Sequence, residues 1–573
     1  MAEPGSQAEA NAASEAGAFS PLRYSLFRWL WIAALASNIG TWVHEVGAGW
    51  MMTELADPAS SRYKLMIALV QAFTALPTFL LAVPAGALAD VVDRRKLMIW
   101  GQAAMLVAAG ALALAAFGGH VTPGLLLVVT FTLGAGAAMI NPAWQTAMTD
   151  LVPRSELPQA SALNSISINL SRAIGPAIGG VVVAQFGPAA AFALNALSFV
   201  TIIVVLASWK YQPPHRAAPG ERFLGAVKAG VRYVRHSATM RAVLVRTCSF
   251  VIFASALWAL MPIIAREELK LGAAGYGVLL AFMGAGAVTG AFVLPGLRRK
   301  LGLNGVVVSA SVMYACVLMV MALVRKQPTL HAGTLTFPIV AIAGMFAAGM
   351  CWLAMVTTLN SSAQTSTPSW VRARALACYL ALFFGSMAMG SMLWGWLAGH
   401  VGTVTTLLIA AGGLVVGLVS LPLYKLQAVS GEELDKSKSW ADPIVSGEIS
   451  HDDGPVVITI EYVIDVGDAD VFREAMQPVA NTRYRDGAMT WVLSRDTEEP
   501  TKWLEIFIVE SWGEHLRQHE RVTVADKRVQ DTAKAFHKGI SKPVVRHFIA
   551  SPTGVNQRQP AVPEPAHDDG HTH

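Results

Sequence analysis

Long apolar segments dominate this chain, and each is about as long as a helix that crosses a bilayer. A bilayer core about 30 Å thick needs roughly 20 apolar residues in helical form. Only 14% of the 573 residues are charged, against about 25% in soluble domains. Twelve such segments lie at residues 26–52, 65–89, 97–117, 125–148, 157–184, 189–209, 243–265, 276–294, 306–324, 337–358, 375–400 and 403–424. We therefore predict an all-α polytopic membrane protein, with twelve transmembrane helices in two six-helix halves.

The basic residues predict the orientation. Arg94, Arg95 and Lys96 follow the second segment, and residues 210–241 hold seven more Lys and Arg side chains. Because cytoplasmic loops of membrane proteins are enriched in Lys and Arg, we place these loops and both termini in the cytoplasm of a multi-pass cell-membrane protein. This bias also explains the net charge of +5, so we expect the lipid bilayer as a partner and no nucleic acid.

The two halves share a weak internal repeat. An offset of 215 residues, which separates Leu157 from Arg372, aligns three glycine pairs among other matches. Those pairs are Gly175 with Gly390, Gly180 with Gly395, and Gly187 with Gly402. Glycine is common in membrane helices, so the repeat alone is only suggestive. With six segments on either side of the basic interval, it supports two parallel repeats.

Beyond the last apolar segment the sequence becomes typical of a soluble domain. After a polar linker, alternating and helical patterns follow in the order β-α-β-β-α-β, which is ferredoxin-like. We divide the chain into a disordered N-terminal tail (1–20), an N-terminal six-helix half (21–210), a cytoplasmic central loop (211–240), a C-terminal six-helix half (241–425), a linker (426–453), a ferredoxin-like α+β cytoplasmic domain (454–550) and a disordered tail (551–573).

The loop after the second segment carries a recognisable motif. It resembles the G-x-x-x-D-R-x-G-R-R/K loop signature of the major facilitator superfamily of transporters. The resemblance implies that Gly86 permits close helix packing, and that Asp90 lies near a helix N-terminus, where the dipole favours an anion. Val91 and Asp93 replace the usual Arg and Gly, which puts the full charge relay in doubt. The residues of this loop motif are Gly86, Asp90, Asp93, Arg94, Arg95 and Lys96.

A longer resemblance covers about residues 20–425. Residues 141–145, 149–160, 172–180 and 192–199 are similar to the branch that contains enterobactin exporters and macrolide efflux permeases. This implies a secondary transporter that exports a siderophore, an antibiotic or another drug-like compound by alternating access. It further implies coupling to protons.

Gly175, Pro176, Gly179 and Gly180 resemble the fifth-helix motif of drug/proton antiporters. Proline removes a backbone hydrogen bond and small residues permit tight packing, so the segment is a candidate gating element. A packing kink without a gating role is the alternative.

Ionisable residues at membrane depth are candidates for coupling, because burying them in lipid is costly. Glu45 lies about 25 Å along the first segment from Arg28, and Arg172 about 22 Å along the fifth from Leu157. We expect them to face one cavity and pair, so that Glu45 or the adjacent His44 carries a proton. Alternatively, Glu45 lies at the aqueous mouth and has no coupling role. Candidate substrate contacts, each equally able to bond a neighbouring helix, are Gln71, Asn141, Asn169, Asn38, Gln145 and Asn164.

The C-terminal region resembles the dimeric α+β barrel group that includes antibiotic-biosynthesis monooxygenases, through residues 505–507 and 511–523. The resemblance implies dimerisation through this domain. His515 and His519 stand at i, i+4 on one helix. With no cysteine or further ligand close in sequence, we interpret them as a solvated helix face or a pairing surface, and we predict no metal and no cofactor. A metal or haem site is the alternative.

The combined features favour a transporter over an enzyme. We found no nucleophile–base arrangement and no nucleotide-binding motif. The four cysteines lie in apolar segments without metal-ligand spacing and are best interpreted as buried small side chains. The alternatives are a membrane-anchored enzyme or a sensor that acts through the C-terminal domain.

Overall fold

The computed structural model describes residues 19–209, 223–324, 329–332, 335–427, 431–437 and 449–550. The predicted terminal tails lie almost entirely outside these ranges, as do parts of the central loop and of the linker. The described chain divides into two compact units at Leu434 and Asp435, and each is treated separately below.

The first unit is a bundle of long helices. Their apolar residues face both the bundle interior and its outer surface, as expected for helices in lipid. In chain order, they are α1 (Ser25–Leu55), α2 (Tyr63–Val91), α3 (Arg94–Phe117), α4 (Pro123–Leu151), α5 (Leu157–Ser208), α6 (Phe223–His236), α7 (Ala238–Ile263), α8 (Ala273–Leu323), α9 (Ile339–Thr365), α10 (Arg372–Val401) and α11 (Thr403–Gly417).

Nine helices in the described part of the chain are long and apolar enough to cross a membrane. Two of these, α5 and α8, have 52 and 51 residues, roughly twice the length that a bilayer requires. Each is interrupted once, at Gly187 (φ 78°) and at Gly302 (φ 66°). A positive φ is easily adopted only by glycine, so both helices bend sharply at these residues.

The internal repeat is visible in the backbone. Gly187 and Gly402, which the offset of 215 residues aligns, have nearly the same conformation, with φ/ψ of 78°/168° and 85°/160°. Each lies where one helix ends and the next begins, without an intervening loop. The match is therefore structural and does not reflect only the abundance of glycine in membrane helices.

Two elements of the first unit have no counterpart in the sequence analysis. Helix α6 lies in the interval that we interpreted as a loop, and the Tyr233 hydroxyl donates a hydrogen bond to the Ser366 carbonyl. The second element is a short antiparallel hairpin before α9, formed by β1 (Thr329–Ala332) and β2 (Leu335–Pro338). Helix α6 is strongly amphipathic, but we interpreted its interval from the basic charge alone. The hairpin lies in a connection too short for hydrophobic periodicity to give a clear signal.

The second unit is built on a four-stranded antiparallel sheet of order β4-β5-β3-β6. Its elements are β3 (Val456–Val463), α12 (Ala469–Asp486), β4 (Ala488–Arg495), β5 (Lys502–Val509), α13 (Trp512–Arg521), α14 (Val524–Lys534) and β6 (Val544–Ile549). Buried residues alternate along β3 and β5 and pack with α12, through Ile458, Phe472 and Phe507 among others. The second helical region is divided in two, because Thr523 forms a capping box with Asp526 and starts a new helix there.

Candidate functional site

A polar cavity lies among α1, α2, α7 and α8 of the first unit. Its volume is about 50 Å³, which is enough for several water molecules but far below the roughly 300 Å³ of a drug-sized ligand site. Glu45 and Gln71 contribute polar groups, and Tyr276 brings a phenol from the opposite half. Glu45 and Gln71, which the sequence analysis named separately as a coupling candidate and a candidate substrate contact, both line this cavity.

Arg172 lines a second, smaller cavity that adjoins the first. Trp42, Trp258 and Leu280 line both. The guanidinium carbon of Arg172 lies 5.8 Å from the centre of the Trp42 ring, within the range of a cation–π interaction. Arg172 and Glu45 interact electrostatically, but their side chains do not form a direct ion pair among the described residues. The expected single cavity is thus two adjoining cavities, with Trp42 lining both.

The other polar candidates differ in their surroundings. The buried His44 ring packs on Phe192, with ring centroids 4.8 Å apart, and also reaches the Glu45 cavity. Asn169 donates its side-chain amide to the Ser165 carbonyl of its own helix, at 2.8 Å. Asn141 is exposed on α4 and is absent from the lining of the two described cavities. The structure therefore supports Gln71 as a cavity residue, whereas it brings neither Asn141 nor Asn169 into these cavities.

Aromatic side chains, which sequence reasoning missed, connect the halves at the cavities. Trp42 of α1 approaches Trp258 of α7, with ring centroids 6.4 Å apart, and Trp258 lies 5.5 Å from Trp352 of α9. Trp352 in turn contacts Phe383 of α10 at 6.0 Å. The indole nitrogen of Trp258 has no hydrogen-bond partner within the described structure, so it is free to bind a polar atom of a ligand.

The fifth-helix motif packs against α1 on one side and against α8 on the other. On one side, a Cβ at Gly175 would come within 2.5 Å of Trp42 Cβ, so this glycine determines how closely Trp42 approaches α5. A Cβ at Gly179 would come within 3.0 Å of Val43 Cα. On the other side, Gly180 meets Gly277 of the opposite half. The motif therefore holds a cavity residue and also forms part of the contact between the halves.

Pro176 adds a second effect to this motif. Because proline has no N–H, the Arg172 carbonyl four residues earlier loses its helical hydrogen bond. That carbonyl faces Gly284 of α8, where an added Cβ would come within 2.5 Å of it. The backbone groups freed by proline thus lie at the interface between the halves.

Polar contacts also hold the halves together at the end where Gly180 and Gly277 meet. Lys64 Nζ donates to Thr403 Oγ1 at 3.1 Å, and Arg266 Nη1 donates to Thr53 Oγ1 at 2.6 Å. Each bond joins a residue of the first half (residues 25–208) to one of the second (residues 238–420). The bundle is therefore closed at this end.

The basic residues of the loop motif cap and connect helix ends. Asp93 Oδ1 accepts a bond from the Lys96 amide and caps the N-terminus of α3. Arg94 pairs with Asp150 at the end of α4, at 3.2 Å. Arg95 donates to the carbonyls of Leu206 and Ala207 at the end of α5, where cations are favoured. Asp93 thus has a structural role at the position where the superfamily signature has glycine.

Gly86 lies in α2 without a close neighbour among the described residues. A Cβ built there would meet none of their atoms within 4 Å, so the close packing that the resemblance implies is not seen in the described part of the chain. Asp90 lies in α2, but its side chain is outside the described residues.

Buried charge also occurs where the sequence analysis named no candidate. Arg246 of α7 is only 2% exposed, and it donates to the Tyr424 carbonyl and the Ser420 hydroxyl at the end of the membrane bundle. Because Arg246 lies near the start of its apolar segment, it resembles an ordinary basic residue that flanks a membrane helix. The partner carbonyls, which are distant in sequence, gave no signal.

A bundle of apolar helices with small cavities at the contact between two halves is the architecture of a multi-pass membrane transporter. The chain belongs to the transmembrane secretion effector family of the major facilitator superfamily, whose model matches residues 16–553. The expectation of a secondary transporter rather than an enzyme is thereby confirmed.

Curated relatives include siderophore and drug transporters. The chain is 20% identical to the staphyloferrin A transporter of Staphylococcus aureus, over 64% of this chain and 88% of that protein. It is 24% identical to the multidrug efflux pump Tap of Mycolicibacterium fortuitum, over 69% and 95% respectively. The enterobactin exporter EntS of Shigella flexneri is 30% identical over 36% of this chain and 48% of its own length.

Solved transporters share the fold of the membrane unit. A POT family transporter in complex with 5-aminolevulinic acid aligns with a TM-score of 0.55 and 13% identity, over 70% of this chain and 96% of its own. A bacterial homologue of the lysosomal transporter Spinster gives 0.53 and 13%, over 70% and 96%. At this identity the likeness concerns the fold alone.

Proposed function

We propose that the chain is a proton-coupled exporter of siderophore-like or drug-like molecules, which works by alternating access. The observation that carries the proposal is the Glu45 cavity, a small polar space enclosed by both halves. A carboxylate there is reachable by water, but the cavity is too small for the substrate. This combination suits a proton carrier. The relatives support this proposal, because they include a multidrug efflux pump, an enterobactin exporter and a staphyloferrin A transporter.

In this proposal Glu45 carries the proton, and the charge of Arg172 influences whether Glu45 is protonated. When Glu45 is ionised, the nearby guanidinium compensates its charge through the cavity wall. Protonation of Glu45 removes that attraction, and Arg172 then interacts only with the Trp42 ring. Because Trp42 packs against Gly175, the charge state of Glu45 is linked to the helix that contacts the opposite half. The Trp42–Trp258–Trp352 cluster would provide the apolar surface for a drug-like substrate.

We further propose that the chain crosses the membrane twelve times, with both termini in the cytoplasm. Division of α5 at Gly187 and of α8 at Gly302 turns nine apolar helices into eleven. Helix α1 would be the twelfth crossing. Its 31 residues are long enough to span, although Arg28, Glu45, Glu54 and several glycines make it less apolar.

We also propose that the second unit is a ferredoxin-like domain in the cytoplasm and that the protein dimerises through it. The sheet face that carries Ile506 is opposite the helices. It includes half-buried Ile508 and exposed apolar side chains of the outer strands, such as Val492 (44%) and Phe548 (51%). An apolar face of this kind is typical of a protein interface. A second copy of the same unit would cover it, as the resemblance to dimeric α+β barrels implies.

Reconstitution into proteoliposomes tests the transport proposal. Purified protein is given an imposed pH gradient and a panel of catecholate and hydroxamate siderophores, a macrolide and cationic dyes. At least one compound should move against its gradient, and collapse of the pH gradient should stop it. Glu45→Gln should abolish the proton-driven component, whereas Glu54→Gln, on the exposed end of the same helix, should not. Transport by the wild-type protein that ignores the pH gradient would rule out proton coupling.

The oligomeric state of the full-length protein tests the dimer. Cross-linking in native membranes should trap a dimer of the wild-type chain, and Ile506→Lys should weaken it. Glu461→Lys, on the same face but already polar, is the matched control. Equal cross-linking of both variants would place any interface elsewhere.

A further inference from the structure

Three histidines of the second unit, distant from the transport cavities in sequence, form one cluster. His515 and His519 lie one turn apart on α13, and His547 lies on β6. One ring nitrogen from each can be chosen so that all three lie within 4.8 Å of one another. His547 is 28 positions after His519, so only the folded sheet brings the third imidazole to the pair.

The geometry of the helical pair matches metal coordination. His515 Nε2 and His519 Nε2 are 3.3 Å apart. In a tetrahedral site with metal–nitrogen bonds of 2.0–2.1 Å, two ligand nitrogens are about 3.3 Å apart. The existing separation is therefore the one that a tetrahedral ion requires. The His547 ring centroid lies 4.6 Å from that of His515, so rotation of the His547 side chain on β6 would direct one of its nitrogens toward the same ion.

His515 is the most deeply buried member of the cluster. Only 1% of its surface is exposed, so its imidazole is directed into the unit and away from solvent. The Nδ1 atom of His515 has no hydrogen-bond partner within the described part of the chain.

One wall of the cluster is apolar, while Gln518 and Arg483 are close enough to His515 to affect it electrostatically. The Trp512 ring packs on His515 and on His547, with ring centroids 5.4 Å and 6.2 Å apart. No carboxylate belongs to the cluster among the described residues. An all-nitrogen donor set favours late transition metals such as Zn²⁺, Ni²⁺ and Cu²⁺, and disfavours Mg²⁺ and Ca²⁺, which bind oxygen.

We propose that His515, His519 and His547 bind one divalent transition-metal ion through three imidazole nitrogens, leaving a fourth coordination position for water or an external ligand. Three protein ligands with an open position is the arrangement of reactive rather than purely structural zinc sites. This replaces the sequence-based interpretation of His515 and His519 as a solvated helix face.

Metal binding to the full-length protein in detergent tests the proposal. All proteins are purified without a histidine tag and carry His567→Ala, His571→Ala and His573→Ala, because those terminal histidines would bind metal themselves. After chelation and buffer exchange, Zn²⁺ is titrated by calorimetry, and bound zinc is counted by mass spectrometry. Mg²⁺ and Ca²⁺ serve as control ions.

We expect one zinc per chain and no binding of Mg²⁺ or Ca²⁺. His547→Ala and His519→Ala should each lose the bound zinc, whereas His451→Ala, an exposed histidine of the same unit, should retain it. Substituting Co²⁺ should give visible absorption bands that disappear in His547→Ala, which reports coordination without any transport assay. Circular dichroism of each variant excludes loss through unfolding. If zinc fails to bind, or binds equally to His547→Ala and the control, the cluster is only a set of packed, hydrogen-bonded imidazoles.

Discussion

Gly180 of α5 and Gly277 of α8 touch across the contact between the two halves, so closely that a Cβ on Gly180 would come within 2.8 Å of Gly277 Cα. Alternating access requires this contact to form and to separate in each cycle. The closed end of the bundle therefore depends on two positions without side chains.

Gly180→Ala should destabilise this closed state. Overpacking typically costs about 1–3 kcal/mol, which corresponds to a decrease in the population of the closed state of about 5- to 160-fold. A cysteine at Gln71, in an otherwise cysteine-free chain, should then react faster with an impermeant reagent added on the side of residues 118–122. Gly110→Ala, where a Cβ meets nothing within 4 Å, should behave like the wild type. Equal reactivity of the two variants would show that the contact does not control access.

Glu45 and Arg172 should be energetically coupled despite the absence of an ion pair. Glu45→Gln should remove proton-driven transport, and Arg172→Ala should be more damaging, because it leaves a carboxylate without a compensating charge at membrane depth. The double variant should recover part of the loss, since effects of interacting residues are not additive. The measurement is a double-mutant cycle of transport rates, and strictly additive losses would mean that the two residues act independently.

The basic turn around Lys300 and the chain that follows the last membrane helix should face the cytoplasm. Single cysteines at Lys300 and Asp435, in a cysteine-free chain, should react with an impermeant maleimide only in inside-out vesicles, and one at His120 only in whole cells. The physical reason is the retention of basic loops in the cytoplasm. Reaction of Asp435→Cys in whole cells would reverse the topology.

The second unit should fold without the membrane helices. It has its own apolar core and its four strands pair with one another, so residues 435–573 expressed alone should give dispersed NMR signals and a cooperative urea transition. Residues 435–543, which lack β6, are the matched control and should lose that transition. A disordered spectrum for the longer fragment would show that the unit needs the membrane domain.

Asp526 should make the second unit acid-sensitive. Although burial acts to raise its pKa, the Arg485 guanidinium at 2.7 Å and hydrogen bonds from Thr523 hold the pKa of the carboxyl below its ordinary value. A lowered folded-state pKa stabilises the fold above the unfolded-state value of about 3.9, and this contribution disappears as the pH falls through the folded-state value.

Asp526→Asn should therefore reduce the free energy of unfolding at pH 7 by about 3–5 kcal/mol, as for a broken buried ion pair. Its urea midpoint should also depend less on pH below about 4. Asp531→Asn, in the exposed pair with Lys527 on the same helix, should change stability by less than about 1 kcal/mol. Similar losses in the two variants would contradict the importance of the buried pair.

The sequence predicted features that depend on local patterns. Hydrophobic length predicted the long apolar helices, and alternation of apolar and polar residues is the pattern that β3 and β5 show in the structure. The repeat predicted an equivalence between Gly187 and Gly402 that the backbone angles reproduce. Each of these signals is carried by neighbouring residues or by a repeat that survives in the chain.

The missed features depend on contacts between distant residues. Nothing near His515 indicates that His547 will pack on it, because the pairing of β6 with β3 decides that contact. Trp42 and Trp258 belong to different halves and look like ordinary apolar residues in their own segments. Gly86 fits the superfamily signature, but the sequence does not reveal which helix, if any, approaches it in this conformation.

Strand β6 ends at Ile549, and it completes the second unit by pairing with β3, the first strand of that unit. A chain is synthesised from its N-terminus, so all the membrane helices leave the ribosome before β6 exists. Messages cut short by a late stop codon would yield a protein that inserts into the membrane but lacks a sheet edge and His547. In such products one edge of β3 would have unpaired backbone groups, which are open to pairing with another strand and to attack by proteases.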